Sequence, residues 1–99
     1  MLEEAAFSIE STGQRVVVVG ELDLATAPRL ERVLNGLRGE ITIDGHDLDF
    51  IDSTGLSVLV RAHNRLAEQN GRLLIEGLST RCRRVVEVAG LDQTLRLLP

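Results

Sequence analysis

Residues 15–22 read "RVVVVGEL", with four valines in succession. Valine is stiff at χ1 and poorly suited to a helix. A short unbroken apolar run of this kind reads as a strand buried on both faces. Such a strand cannot stand alone, and the flanking sequence supplies what could cover it. Residues 6–11 alternate, with Phe7 and Ile9 on one face, and "STGQ" follows with Gly13 suited to a turn. The segments 6–11 and 15–20 therefore predict a hairpin.

After a loop over 20–25, Thr26 and Pro28 mark a helix start. Leu30, Val33, Leu34 and Leu37 form its apolar stripe, and Gly39 marks its end. "EITID" (40–44) is a strand, and 45–51 reads as irregular and acidic. A second helix carries Leu56, Leu59, Val60, His63, Leu66 and Ala67 on one face and stops at the Asn70–Gly71 pair. Residues 72–77 form a strand. Ser79 caps a third helix with the stripe Cys82, Val85, Val86 and Ala89, ending before Gly90. A short edge strand is expected around Leu95–Leu97. The order is β-β-α-β-α-β-α-β. Strands joined through helices tend to lie parallel, and the opening hairpin makes the sheet mixed.

Ninety-nine residues suit one domain, 1–99, with 1–5 expected to fray. Phe7 and Phe50 are the only aromatic residues, so the core must be aliphatic, and a base-stacking platform is disfavoured. A net charge of −4 argues against a nucleic-acid partner. The charge is uneven. Residues 40–52 hold five acids and no arginine, whereas 61–84 hold six arginines against two glutamates. All the basic residues are arginine, which reads as genome composition bias. Lone Cys82 cannot form an internal disulfide and sits in an apolar stripe as a core residue. No run approaches a membrane span, and "MLEEAAFS" has acids where a signal peptide has bases. A soluble, cytoplasmic and monomeric protein is expected.

Few residues suggest catalysis. His46 and His63 are not spaced as metal ligands, and the acids 44, 47, 49 and 52 do not follow an EF-hand pattern. They read as a solvated rim. No phosphate-binding glycine loop is present, and neither histidine has a sequence-local serine or cysteine partner. Neither a metal nor a cofactor is expected.

The segment "DFIDSTGLSVLV" (49–60) stands apart. Asp52, Ser53 and Thr54 could each cap the second helix, yet one cap suffices. The plain reading is that one of them caps and the others are bystanders. If Asp52 is the cap, however, the Ser53 hydroxyl falls in the first turn and is not needed by the backbone. Free N–H groups and the helix dipole favour an anion there, so a phosphate could be carried without unfolding. Gly55 is a poor helix former, and room for an approaching partner would account for it.

Three segments together, "GELD", "LDFIDSTGL" and the "LLIEG" strand, resemble the STAS domain over roughly residues 7–98, specifically the stand-alone bacterial anti-sigma factor antagonists. The resemblance implies an α/β fold, a STAS-like mixed β-sheet with helices packed mainly on one face. It implies phosphorylation on Ser53, with Thr54 the fallback. The implied kinase is a GHKL-type anti-sigma factor, which the unphosphorylated antagonist binds so that the sigma factor is released. A metal-dependent serine phosphatase reverses the modification. Such a protein is a substrate and binding module, not an enzyme. The family's docking surface maps to Asp23, Leu24, Asp52, Ser53, Gly55, Leu56 and Ser57. Two departures stand out: the sequence stops at Pro99, so the further helix of relatives is expected to be absent or trimmed, and "DGHDLDF" is more acidic than the usual loop.

Two other functions remain open at this level. One is a non-phosphorylated STAS scaffold subunit of a sensory or lipid-transport complex. The other is a small-molecule- or nucleotide-binding domain, or an enzyme built on the acidic rim, which would require a pocket of convergent polar groups.

Overall fold

A hairpin opens the chain. In the computed structural model, which describes residues 7–99, β1 (Ser8–Thr12) pairs antiparallel with β2 (Arg15–Leu22) across a turn at Gly13. The expected start of β1 at Ala6, and the fraying of 1–5, lie outside the described residues. Helix α1 (Ala27–Asn35) leads to β3 (Glu40–Asp44). A further strand, β4 (Leu48–Ile51), precedes α2 (Ser53–Glu68), and β5 (Arg72–Glu76), α3 (Thr80–Val88) and β6 (Arg96–Leu98) follow. The sheet order is β1-β2-β3-β5-β6, with every pair after the hairpin parallel.

Strand β4 corrects the sequence reading of 45–51 as irregular. The first half of β2 pairs with β3 (Val16 opposite Ile43), and its last residues pair with β4 (Leu22 opposite Ile51). β4 thus prolongs the line of β3 after a break at residues 45–47. The break keeps its backbone bonded, with the Gly45 N–H donating to Glu76 and the Gly20 N–H donating to Asp47. β4 was hidden because it has only four residues, its two buried members are Leu48 and Ile51 at its ends, and Asp49 and Phe50 between them are exposed. Its pairing also carries β2 to Leu22, into what the sequence suggested was loop.

The valine run is not buried on both faces. Val16 and Val18 are fully buried, whereas Val17 and Val19 are half-buried. The same alternation recurs in β3 (Ile41, Ile43) and β5 (Leu73, Ile75), so the helices cover one face of the sheet, as the family resemblance implied. The buried apolar core is aliphatic apart from Cys82. In α2 the buried face is rotated from expectation. Val58 and Ala62 are inside, His63 is half-buried, and Ala67 is exposed.

Helix α1 ends at Asn35 with Gly36 as its cap, four residues before the expected stop at Gly39. Carbonyls at its end and just beyond it are met from α2. Arg65 donates to the carbonyls of Leu34 and Leu37. A cation at a helix C-terminus interacts favourably with the dipole, and here it adds a second donor to the Leu34 carbonyl, which already accepts from the Leu37 N–H. Replacing Arg65 with methionine keeps much of the aliphatic stem and removes the donors. We expect a loss of about 1.5–3 kcal/mol in urea unfolding at neutral pH.

Candidate functional site

The C-terminal ends of β2 and β4 lie side by side and deliver two loops to one end of the sheet. From β2 comes Glu21–Leu22 and then the turn over 23–26. There Asp23 Oδ1 accepts from the N–H groups of Ala25 (3.0 Å) and Thr26 (3.1 Å). The Thr26 hydroxyl donates to the Glu21 carbonyl (2.6 Å) and accepts from the Asp23 N–H (2.9 Å). Thr26 occupies the cap position of α1 but makes no side-chain cap bond, because its hydroxyl is spent on the preceding turn. Leu24 at the tip of this turn is 74% exposed.

From β4 comes Asp52, the N-cap of α2. Its extended backbone lets Oδ1 accept from the Gly55 N–H at 3.0 Å. Its second oxygen, Oδ2, accepts from the Leu24 N–H at 3.2 Å, and its own N–H donates to the Leu22 carbonyl at 3.1 Å. Asp52 therefore caps one helix and ties the two loops together. With the cap provided by Asp52, Ser53 stands in the first turn, exposed. Among the described residues its hydroxyl has no hydrogen-bond partner. Only its carbonyl is used, accepting from Ser57 Oγ at 3.0 Å. Thr54 is half-buried and Ser57 exposed.

Gly55 is not a clearing for a partner. It is buried, and a Cβ there would fall 2.8 Å from both Leu22 Cγ and the Leu22 carbonyl oxygen. The glycine lets the first turn of α2 lie against the end of β2. Leu56 is also nearly buried, at 5% exposure, and forms the floor of an open, largely apolar groove of about 390 Å³. The groove runs from Ser53 past Ser57 and Val60 to Leu91. Of the residues singled out in the sequence, Leu24, Ser53 and Ser57 are thus outward-facing. Asp23 and Asp52 shape the loops, and Gly55 and Leu56 support them. Nothing local marks Leu91 as a neighbour, since the approach of the segment after α3 to α2 is a tertiary matter.

The acids of the 44–52 segment do not form one solvated rim: Asp52 is the half-buried cap described above, and the other three separate into two groups. Asp47 and Asp49 are exposed, in keeping with a solvated rim. Asp44 is not part of that rim. Its Oδ1 lies 2.6 Å from His46 Nδ1, and its Oδ2 is 2.9 Å from the Arg15 guanidinium, which also binds Glu76. Asp44, His46 and Glu76 place ligand atoms within 4.8 Å of one another, the one such cluster among the described residues. Arg15 already satisfies both carboxylates, so the cluster is an ion-pair network with its own cation.

The hydrogen bond from His46 is the main cause holding the Asp44 carboxyl down, to about 2, and Asp44 in turn raises His46 above its usual value. The signs fix a window. The raised His46 contributes fully below its unfolded value near 6.5 and loses its contribution as pH rises through the folded one. The depressed Asp44 contributes above its unfolded value near 3.8 and loses its contribution as pH falls toward 2. The stability difference between wild type and His46→Gln is therefore expected to peak between about pH 4 and 6.5 and to shrink on either side, as read by urea midpoints across pH.

The geometry matches a known pattern of domain. The family model described as "Mlab, STAS domain" matches residues 5–99. This chain belongs to the STAS family. Among STAS proteins it is 36% identical over 98 residues to the anti-sigma-B factor antagonist of Staphylococcus aureus, covering 91% of each chain. It is 37% identical over 86 residues to that of Staphylococcus epidermidis, covering 83% of this chain and 80% of the relative. The crystal structure of an anti-sigma factor antagonist from Mycobacterium paratuberculosis superimposes with a TM-score of 0.76 at 28% identity, over 95% of this chain and 85% of that one. The mixed sheet with helices on one face is the STAS fold that the sequence segments implied. Among the described residues no helix is long and apolar enough to cross a membrane.

Proposed function

We propose that this STAS protein is an anti-sigma factor antagonist controlled by phosphorylation of Ser53. Unphosphorylated, it binds an anti-sigma serine kinase of the GHKL type, and the sigma factor that the kinase held is released. Transfer of a phosphoryl group from ATP to Ser53 Oγ ends the complex, and a serine phosphatase restores the hydroxyl. The observation that carries this reading is the division of roles at the start of α2. Asp52 does the capping, which leaves the Ser53 hydroxyl exposed and free.

The physics of the switch follows from that placement. A phosphate adds about −1.5 to −2 charges. At a helix N-terminus it is tolerated by the fold, because the free N–H groups and the dipole favour an anion. In a closed interface the same charge is unpaired and costly. Phosphorylation thus changes what can dock while leaving the fold intact. Exposed Asp47 and Asp49 suit a partner face bearing arginine or lysine and favour rapid encounter. The chain acts in the cytoplasm as a single-domain, monomeric substrate and binding module. The kinase supplies the nucleotide site and the catalysis.

Co-purification of the tagged protein from its native cell, with and without phosphatase treatment, tests the reading. A GHKL-type kinase bound only to the dephosphorylated form is the expected result. A partner retained regardless of phosphorylation state would point instead to a constitutive scaffold subunit.

A further inference from the structure

Asp52 stands among the residues that the resemblance assigns to partner contact, yet its polar groups are occupied within the chain. Oδ1 accepts from the Gly55 N–H (3.0 Å), Oδ2 from the Leu24 N–H (3.2 Å), and its carbonyl from the Leu56 N–H (2.9 Å). Its own N–H reaches the Leu22 carbonyl at 3.1 Å. The side chain is half-buried beneath the turn that it holds. Leu24, by contrast, is 74% exposed on a turn held from within by Asp23 and from across by Asp52. An apolar side chain on a main chain fixed in advance loses little freedom on docking, which is where affinity is gained most readily.

We infer that Asp52 is a positioning residue for Leu24: it shapes the docking surface by holding the Leu24 main chain and makes no contact of its own with the partner. The inference rests on the docking surface proposed above. It assigns the partner an apolar recess for Leu24, with basic residues at its edge facing Glu21 and Asp49, both exposed on the same side of the sheet.

Two substitutions separate the cap from the tie. Asparagine and serine are as good as aspartate at an N-cap, so Asp52→Asn and Asp52→Ser keep an acceptor for the Gly55 N–H. Neither keeps the second bond. With its oxygen on Gly55, asparagine turns an NH2 donor toward the Leu24 N–H, and serine has no second oxygen. Both variants are expected to melt close to wild type. Exchange of the Leu24 amide hydrogen, read by NMR on the protein alone, should accelerate about tenfold. Affinity for the kinase recovered by co-purification should fall by about the same factor.

The decisive comparison is a double-mutant cycle. In a Leu24→Ala background, Asp52→Asn should cost no more than about a further twofold, because the group it positions is gone. A full tenfold loss persisting in that background would mean that Asp52 touches the partner itself and would overturn the inference. Unchanged Leu24 amide exchange in both Asp52 variants would overturn it as well. The exchange measurement needs no kinase, so recovering none defeats the proposed function without deciding the role of Asp52.

Discussion

Replacing Ser53 with alanine is expected to abolish phosphate incorporation from ATP by the cognate kinase while leaving the unmodified complex within about twofold of wild-type affinity. The hydroxyl has no hydrogen-bond partner among the described residues, and alanine is a good helix former, so nothing in the fold depends on the change. Ser53→Asp should have the opposite profile. It should fold normally, since an acid near a helix N-terminus is favourable, yet bind at least about a hundredfold more weakly, because an unpaired charge enters the interface. Intact mass after incubation with kinase and ATP, together with titration calorimetry, reads both. Phosphate still entering the alanine variant would move the acceptor to Thr54. Unaltered binding of the aspartate variant would remove the electrostatic account of the switch.

The second large effect concerns Gly55. Helix propensity alone predicts that Gly55→Ala stabilises α2 by up to about 1 kcal/mol. The packing predicts the reverse. The added Cβ would lie 2.8 Å from the Leu22 carbonyl oxygen, a backbone atom at the end of β2 that cannot swing aside. Overpacking of this kind costs about 1–3 kcal/mol, and forcing β2 and α2 apart would also disturb the Leu22–Asp52 bond. A net destabilisation of about 2 kcal/mol corresponds to a fall of about 8–16 °C in Tm for a domain this size. Thermal unfolding decides the sign. A rise in Tm would show that the turn can move away from the strand. Kinase affinity should fall too, since the displaced turn carries both Ser53 and Asp52.

Much of this architecture was visible in the residues, for identifiable reasons. The hairpin, the three helices and the parallel pairing follow from hydrophobic period and turn chemistry, which are local. Ser79 capping α3, and the Asn70–Gly71 stop of α2, where Asn70 adopts a positive φ, are local as well. The failures are tertiary. Nothing near Gly55 in the sequence reveals Leu22, so a glycine that serves close packing read as a space for a partner. β4 has no alternation of its own and is defined by its pairing with the end of β2. Asp44 looked like one more solvated acid because Arg15 and Glu76 lie 29 residues before it and 32 after it in the chain. At the site, the exposed Ser53 hydroxyl followed from counting caps. The tie from Asp52 to Leu24 could not, since it spans 28 residues.

That tie has a consequence for dosage. Its two ends come together only when β4 lies beside β2, so the complete docking surface does not exist on a nascent, nicked or partly unfolded chain. Under the proposed function, a kinase that reads both segments at once would be titrated by finished molecules alone. The cell's effective supply of antagonist would then be set by folding yield as well as by synthesis. A heat-damaged pool would register as a shortage even while the total amount of protein stays constant.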